Sequence, residues 1–144
     1  MNDLRDKLPK WFWAIAIIGL IWNIMGVMAY LAQVFATPEM IETWPDGQAE
    51  MVENRPAWAT AAFAIAVWSG FIASIALLMK RRIAYTLFLV SLIGIVIQYF
   101  YELFLMETEW SYEANPVVIM ILIPLLGIIM LMVSKKAKAN GWLR

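Results

Sequence analysis

Four long apolar runs dominate the chain, and the few polar residues inside them recur at helical spacing. The runs cover residues 11–35, 57–79, 83–105 and 116–134, and none contains a lysine, arginine or aspartate. A hydrocarbon layer about 30 Å thick is crossed by roughly 20 apolar residues that rise about 1.5 Å each. Each run is continuous rather than alternating, which predicts helices and not barrel strands, because backbone groups in lipid must be satisfied within the segment. The expected fold is an all-α membrane protein. It is an antiparallel four-transmembrane-helix bundle forming one domain over 1–144, with a short helical acidic cap over 36–56.

In the first run Gly19, Asn23, Gly26, Tyr30 and Gln33 follow one another at steps of four, three, four and three. The third run repeats the spacing with Ser91, Gly94, Gln98 and Glu102, and Tyr101 flanks that line. Such spacing lines one side of a helix. Both runs cross the membrane in the same direction, so Gln33 is expected level with Glu102 and Tyr30 with Gln98, while Asn23 and Ser91 lie deeper. Glu102 is expected about one turn from the outer end, within reach of the headgroup layer. Gln98 sits too deep for that. An amide facing lipid forgoes hydrogen bonds worth roughly 1–3 kcal/mol each, so Gln98 is expected to face another helix.

The second run carries small residues at Ala62, Ala66, Gly70 and Ser74, a period that lets two helix backbones approach closely. Gly19, Gly26 and Gly94 are expected to serve packing in the same way. The fourth run holds Pro116, Pro124 and Gly127, which predicts a bend near Pro124.

Two expectations follow for the polar line. In one, Asn23, Gln33, Gln98 and Glu102 are interhelical glue. In the other, Tyr30, Gln33, Gln98, Tyr101 and Glu102 line a pocket open to the outer face, with Asn23 at its deep end; an intramembrane carboxylate is by default a functional candidate. Arg55 is expected to pair with Glu39, Glu42, Glu50 or Glu53, with Glu102 as the alternative. Trp22 and Trp68, near mid-membrane, either fill the core or form a stacking platform beside Asn23 for a neutral polar solute.

Charge sets the threading. The net charge of zero conceals a separation: the segment up to Lys10, with Arg5 and Lys7 against Asp3 and Asp6, the Lys80, Arg81, Arg82 link and the tail with Lys135, Lys136, Lys138 and Arg144 together carry plus eight. The other two connections hold Glu39, Glu42, Asp46, Glu50, Glu53, Glu107, Glu109 and Glu113, with Arg55 as their one cation. Lysine and arginine near span ends stay inside, so both termini are expected on the cytoplasmic side of an inner membrane. Trp11 and Trp13 then mark the inner interface, and Trp44, Trp58 and Trp110 the outer one. The first run resembles a signal sequence in its basic flank but is too long for one, so an uncleaved first span is expected.

Composition narrows the chemistry. Of 144 residues, 63% are hydrophobic and 15% charged, and neither cysteine nor histidine occurs. Thiolate nucleophiles, disulfides, thiol-ligated metals, histidine-held haem and imidazole acid–base catalysis are thereby excluded. No enzyme activity, cofactor or metal is expected. Extended basic patches for nucleic acid are missing, and the lipid bilayer is the first partner.

Thr37 before Pro38 reads as a helix cap with proline in the first turn, Glu39 suits the positive end of the helix dipole, and "WPDG" reads as a turn. A second short helix is expected from about Gln48 to Glu53. "ETW" with "NRP" and "ETEW" with "NP" echo one another around the two outer loops, as a duplicated two-helix unit would.

At "LPKWFWAIAIIGLIWNIMGVMAY" and "PAWATAAFAIAVWSGFIASIALLMKRRIA" the chain resembles a family of small, uncharacterised four-helix bacterial inner-membrane proteins often named sugar transporters. Its topology is similar to that of DoxX-type proteins. The resemblance implies a four-span inner-membrane bundle and carries no residue roles. Two functions are expected from the residues: a non-enzymatic accessory or assembly subunit, working as a homo-oligomer or with a membrane-protein partner, or a carrier for a small sugar-like or cationic solute that acts as an oligomer.

Overall fold

The computed structural model describes residues 8–105 and 114–144. The expectations resting on Asp3, Arg5, Asp6, Lys7, Glu107, Glu109, Trp110 and Glu113 lie outside the described residues. Four helices long and apolar enough to cross a membrane make up the fold, and among the described residues there is no strand. They are α1 (Lys10–Val34), α4 (Ala57–Leu78), α5 (Ile83–Phe100, continued by a π-helical turn over Tyr101–Leu105) and α6 (Ala114–Ala139). Between α1 and α4 lie the short helices α2 (Pro38–Ile41) and α3 (Gln48–Glu53).

Local chemistry fixes where these helices start. Pro9 and Pro56, in extended backbone, immediately precede α1 and α4. Thr37 caps α2 as expected, its hydroxyl accepting from the Met40 amide at 3.3 Å, with Pro38 in the first turn. The Glu39 carboxyl is held below its ordinary range by its own backbone N–H and then by the Thr37 hydroxyl. Gly47 turns the chain into α3 with φ 83°, closing the expected turn.

The helices pack in the order α1, α4, α5, α6, with α4 against α5 the most extensive pair. Small residues explain that pairing. Ala59, Ala62, Ala66, Ser69, Gly70, Ala73 and Ser74 are buried along α4, so neighbours approach its backbone. Gly94 of α5 lies so close that a Cβ there would stand 2.9 Å from the Ala62 carbonyl oxygen and 3.0 Å from the Ala66 amide nitrogen. α1 and α6 touch only sparsely. Gly19 lies under the Met130 side chain where they do. α6 runs unbroken through Pro124 and extends past residue 134 to Ala139.

One end of the bundle, which we call the basic end, is closed by the tail. α4 and α6 finish in matching turns: Arg81 N–H donates to the Ala76 carbonyl at 2.8 Å and Lys80 N–H to Leu77 at 3.0 Å, while Trp142 N–H donates to Ala137 at 2.9 Å and Gly141 N–H to Lys138 at 3.2 Å. Both are Schellman motifs, with Lys80 at φ 57° and Gly141 at φ 71° in the left-handed position. The turns then interlock. Arg144 N–H donates to the Lys80 carbonyl at 2.6 Å, and Arg82 returns bonds from its amide to the Arg144 carbonyl at 3.0 Å and from Nε to the Leu143 carbonyl at 3.2 Å. Leu143 is thereby buried among Phe12, Leu77, Phe88, Met130, Val133 and Ala137. Trp142 covers it, with ring centroids 6.0 Å from Trp11 and 5.9 Å from Phe12.

Candidate functional site: a polar seam in two layers

The deeper layer is built where α1, α4 and α5 meet. Asn23 Nδ2 donates to the Gly19 carbonyl at 2.8 Å and to Ser74 Oγ at 3.0 Å, and Ser74 Oγ donates to the Gly70 carbonyl at 2.9 Å. Asn23 Oδ1 and Ser91 Oγ lie over Gly70, leaving no room for a side chain there. Ser91 Oγ donates to the Ala66 carbonyl at 2.7 Å, and Ser69 Oγ donates to Ile65. Asn23 and Ser74 bond each other and all four side chains bond backbone carbonyls, which is how polar side chains hold helices together in a solvent that supplies no competing donors. Gly26 packs on Val67 in the same contact between α1 and α4.

The layer at the opposite, acidic end has different chemistry. Arg55, just before α4, donates from Nη1 to Gln33 Oε1 of α1 at 2.8 Å and lays its guanidinium 5.5 Å from the centre of the Phe63 ring. Phe63 in turn meets Tyr30 edge-on at 5.5 Å. From α5, Gln98 Nε2 donates to Glu102 Oε1 at 2.9 Å. The π-helical turn that follows buries Tyr101, whose hydroxyl donates to the Asn54 carbonyl at 3.4 Å and whose ring meets Trp58 edge-on at 5.5 Å. Burial pushes the Arg55 guanidinium below its ordinary value, opposed first by the charge of Glu102 and then by Tyr101. An arginine stays charged through such a shift.

Three expectations change here. Arg55 does not pair with Glu39, Glu42, Glu50 or Glu53: its side chain turns toward the bundle, takes the Gln33 amide as acceptor and feels Glu102 through space. The bond that Gln98 makes is to Glu102, four residues along its own helix, rather than to a facing one. Trp68 packs on Phe71 of its own helix, with centroids 6.3 Å apart, and Asn23 bonds Gly19 and Ser74 rather than joining a tryptophan platform. Sequence reasoning missed Tyr99, whose hydroxyl donates to the Met120 carbonyl of α6 at 2.7 Å and ties α5 to α6. It also missed the π-helical turn, for which the residues carry no signal.

An apolar groove of about 470 Å³ opens between α4 and α5, lined by Trp58, Ala61, Ile65, Val90, Ile93 and Ile97, with Ala62 and Gly94 at its floor. Comparison with protein-family models, characterised proteins and solved structures finds no match to this chain.

Proposed function

We propose that this integral membrane protein is a non-enzymatic assembly subunit, joining a second copy or another membrane protein through its lipid-facing helices. The observation that carries the reading is the closure of the deeper seam. Asn23 bonds Ser74, and Asn23, Ser74 and Ser91 each bond a backbone carbonyl, so the polar groups in the bundle's middle serve as glue. The surface offered for assembly is apolar and includes the α4/α5 groove floored by small residues, the kind of surface on which membrane helices pack. The gathering of Lys80, Arg81, Arg82, Lys136 and Lys138 at one end supports termini on the cytoplasmic side of an inner membrane.

The chain has no cysteine, so single cysteines placed at Ile65 and Ile93 report on the groove without background. Membrane-embedded oxidative cross-linking at these positions, with Ile17 of α1 as a control face, is expected to give a cross-linked product from the groove. A mild-detergent or nanodisc preparation that holds one chain of 16.5 kDa per particle, with no cross-link, sinks the reading.

A carrier for a small polar solute is the second reading. It is favoured by one observation, the convergence of Gln33, Arg55, Gln98 and Glu102 at the acidic end. Liposome uptake that depends on Gln98 and Glu102 tests it.

A further inference from the structure

At the basic end the tail clasp gathers two cations around one ring. Arg82 stands just before α5 and Tyr85 one turn into it, a separation that sets Cβ atoms about 5–6 Å apart on a helix. Lys138, near the end of α6, holds its Nζ 5.1 Å from the centre of the Tyr85 ring. Arg82 is itself tied to the tail, through Nε to the Leu143 carbonyl at 3.2 Å and through its amide to the Arg144 carbonyl at 3.0 Å. Segments far apart in the sequence thus deliver a guanidinium and an ammonium to the same ring.

Both charged side chains are exposed, while the Leu143 that anchors the tail is buried. The bond from Nε uses one of the five N–H groups of Arg82, and the fork formed by its two terminal nitrogens matches the geometry of a phosphate. Lys138 adds a second charge-assisted donor beside it. Among the described residues, the carboxylates Glu39, Glu42, Asp46, Glu50, Glu53 and Glu102 all stand at the opposite end. The segment before Leu8 adds no net negative charge, since Arg5 and Lys7 match Asp3 and Asp6. Beyond Tyr85 the same face of α5 continues with Leu89 and Val96, both apolar and exposed. A tetrahedral oxyanion at the helix end with hydrocarbon running along the helix below it describes a phospholipid. Net negative charge is selected as well, because a zwitterionic headgroup brings a cation of its own against Arg82 and Lys138.

We propose that Arg82, Tyr85 and Lys138 form a headgroup site for an anionic phospholipid at the basic end, and that the tail clasp assembles it. The site goes beyond the assembly reading and does not rest on it.

The test uses the full chain, delipidated in detergent, and native mass spectrometry with equal amounts of phosphatidylglycerol and phosphatidylcholine. The glycerol lipid is expected to be retained one per chain, with about a tenfold preference over the choline lipid. Arg82→Gln and Lys138→Gln should each remove most of that preference. Lys136→Gln takes away a cation of the same end that lies over Trp11 instead of Tyr85, and should leave the preference intact. Leu143→Ala changes no charge but loosens the tail from Arg82, and should lower the preference. Arg82→Lys keeps the charge while removing the Nε bond; it should act in the same direction and covers the case in which Leu143→Ala fails to fold. Equal retention of the two lipids by the native chain overturns the proposal. So does an equal loss in Lys136→Gln and Lys138→Gln, the sign of diffuse charge attraction, or a full preference in both Leu143→Ala and Arg82→Lys.

Discussion

Asn23 of α1 and Ser74 of α4 share a 3.0 Å hydrogen bond, and the same amide nitrogen reaches back to the Gly19 carbonyl at 2.8 Å. The pair fixes which face of α1 turns inward, because Asn23 Oδ1 rests over Gly70 and admits nothing larger than hydrogen there.

Removing that amide should be costly for its size. Intramembrane hydrogen bonds average about 0.6 kcal/mol and reach about 1.7, and Asn23→Leu loses two while forcing a branched chain against Gly70. A loss of about 1–3 kcal/mol is expected, with Ser74→Ala costing less than about 1. Reversible unfolding in mixed detergent, arranged as a double-mutant cycle, reads the coupling directly. A coupling of zero removes the bond from the account of α1 packing.

Glycine positions separate by what surrounds them. Gly94→Ala drives a Cβ to 2.9 Å from the Ala62 carbonyl, a backbone atom that cannot rotate away, whereas Gly26→Ala meets Val67 Cγ1 at an ordinary 3.4 Å. Gly94→Ala should therefore destabilise by about 1–3 kcal/mol, and Gly26→Ala by much less. The same detergent titration ranks them, and equal effects would show that α4 and α5 are not in close backbone contact.

The helical spans and their polar stripes were legible because lipid imposes length and apolarity on any crossing helix, and α2 was legible because Thr37 and Pro38 act locally. Partner choice was not. The expected pairing of Arg55 with a loop carboxylate counted charges, yet the side chain's direction at the start of α4 decides its neighbours. Gln98 and Glu102 were placed on one face by their spacing, and that spacing also lets them bond each other, which gives Gln98 a partner without a second helix. At the basic end a signal was present and passed over: Asn140–Gly141 is a helix stop, and an apolar Leu143 beyond it needs somewhere to be buried. Lys80 in the left-handed region carried no such signal, since it is neither glycine nor asparagine.

The tail that results is a clasp and not a loose end. Leu143 is 1% exposed, and the backbone of Arg144 bonds Lys80 and Arg82 across the bundle. Leu143→Ala is expected to cost about 2–4 kcal/mol as a buried leucine, and Gly141→Val about 1–2 for forcing a β-branched residue to positive φ. Limited proteolysis of the Lys80 to Arg82 turn should accelerate in both variants, because that turn loses its partner strand of hydrogen bonds. Unchanged cleavage and unchanged stability in Leu143→Ala would show the tail to be dispensable.

Arg55 should behave in the opposite way to Asn23. Its guanidinium is half-buried, and among the described residues one of its N–H groups has a protein acceptor while its enclosed Nε–H has none, so the folded state carries a desolvated donor that contributes little in return. An apolar chain of similar length removes that burden while keeping the packing on Phe63. Arg55→Met is accordingly expected to leave stability within about 1 kcal/mol of the native chain or to raise it, although Gln33 loses its donor. Thermal denaturation of Arg55→Met in lipid-free detergent makes the distinction: a loss of several kcal/mol assigns Arg55 to the scaffold, and a neutral or positive change shows that the fold does not depend on it.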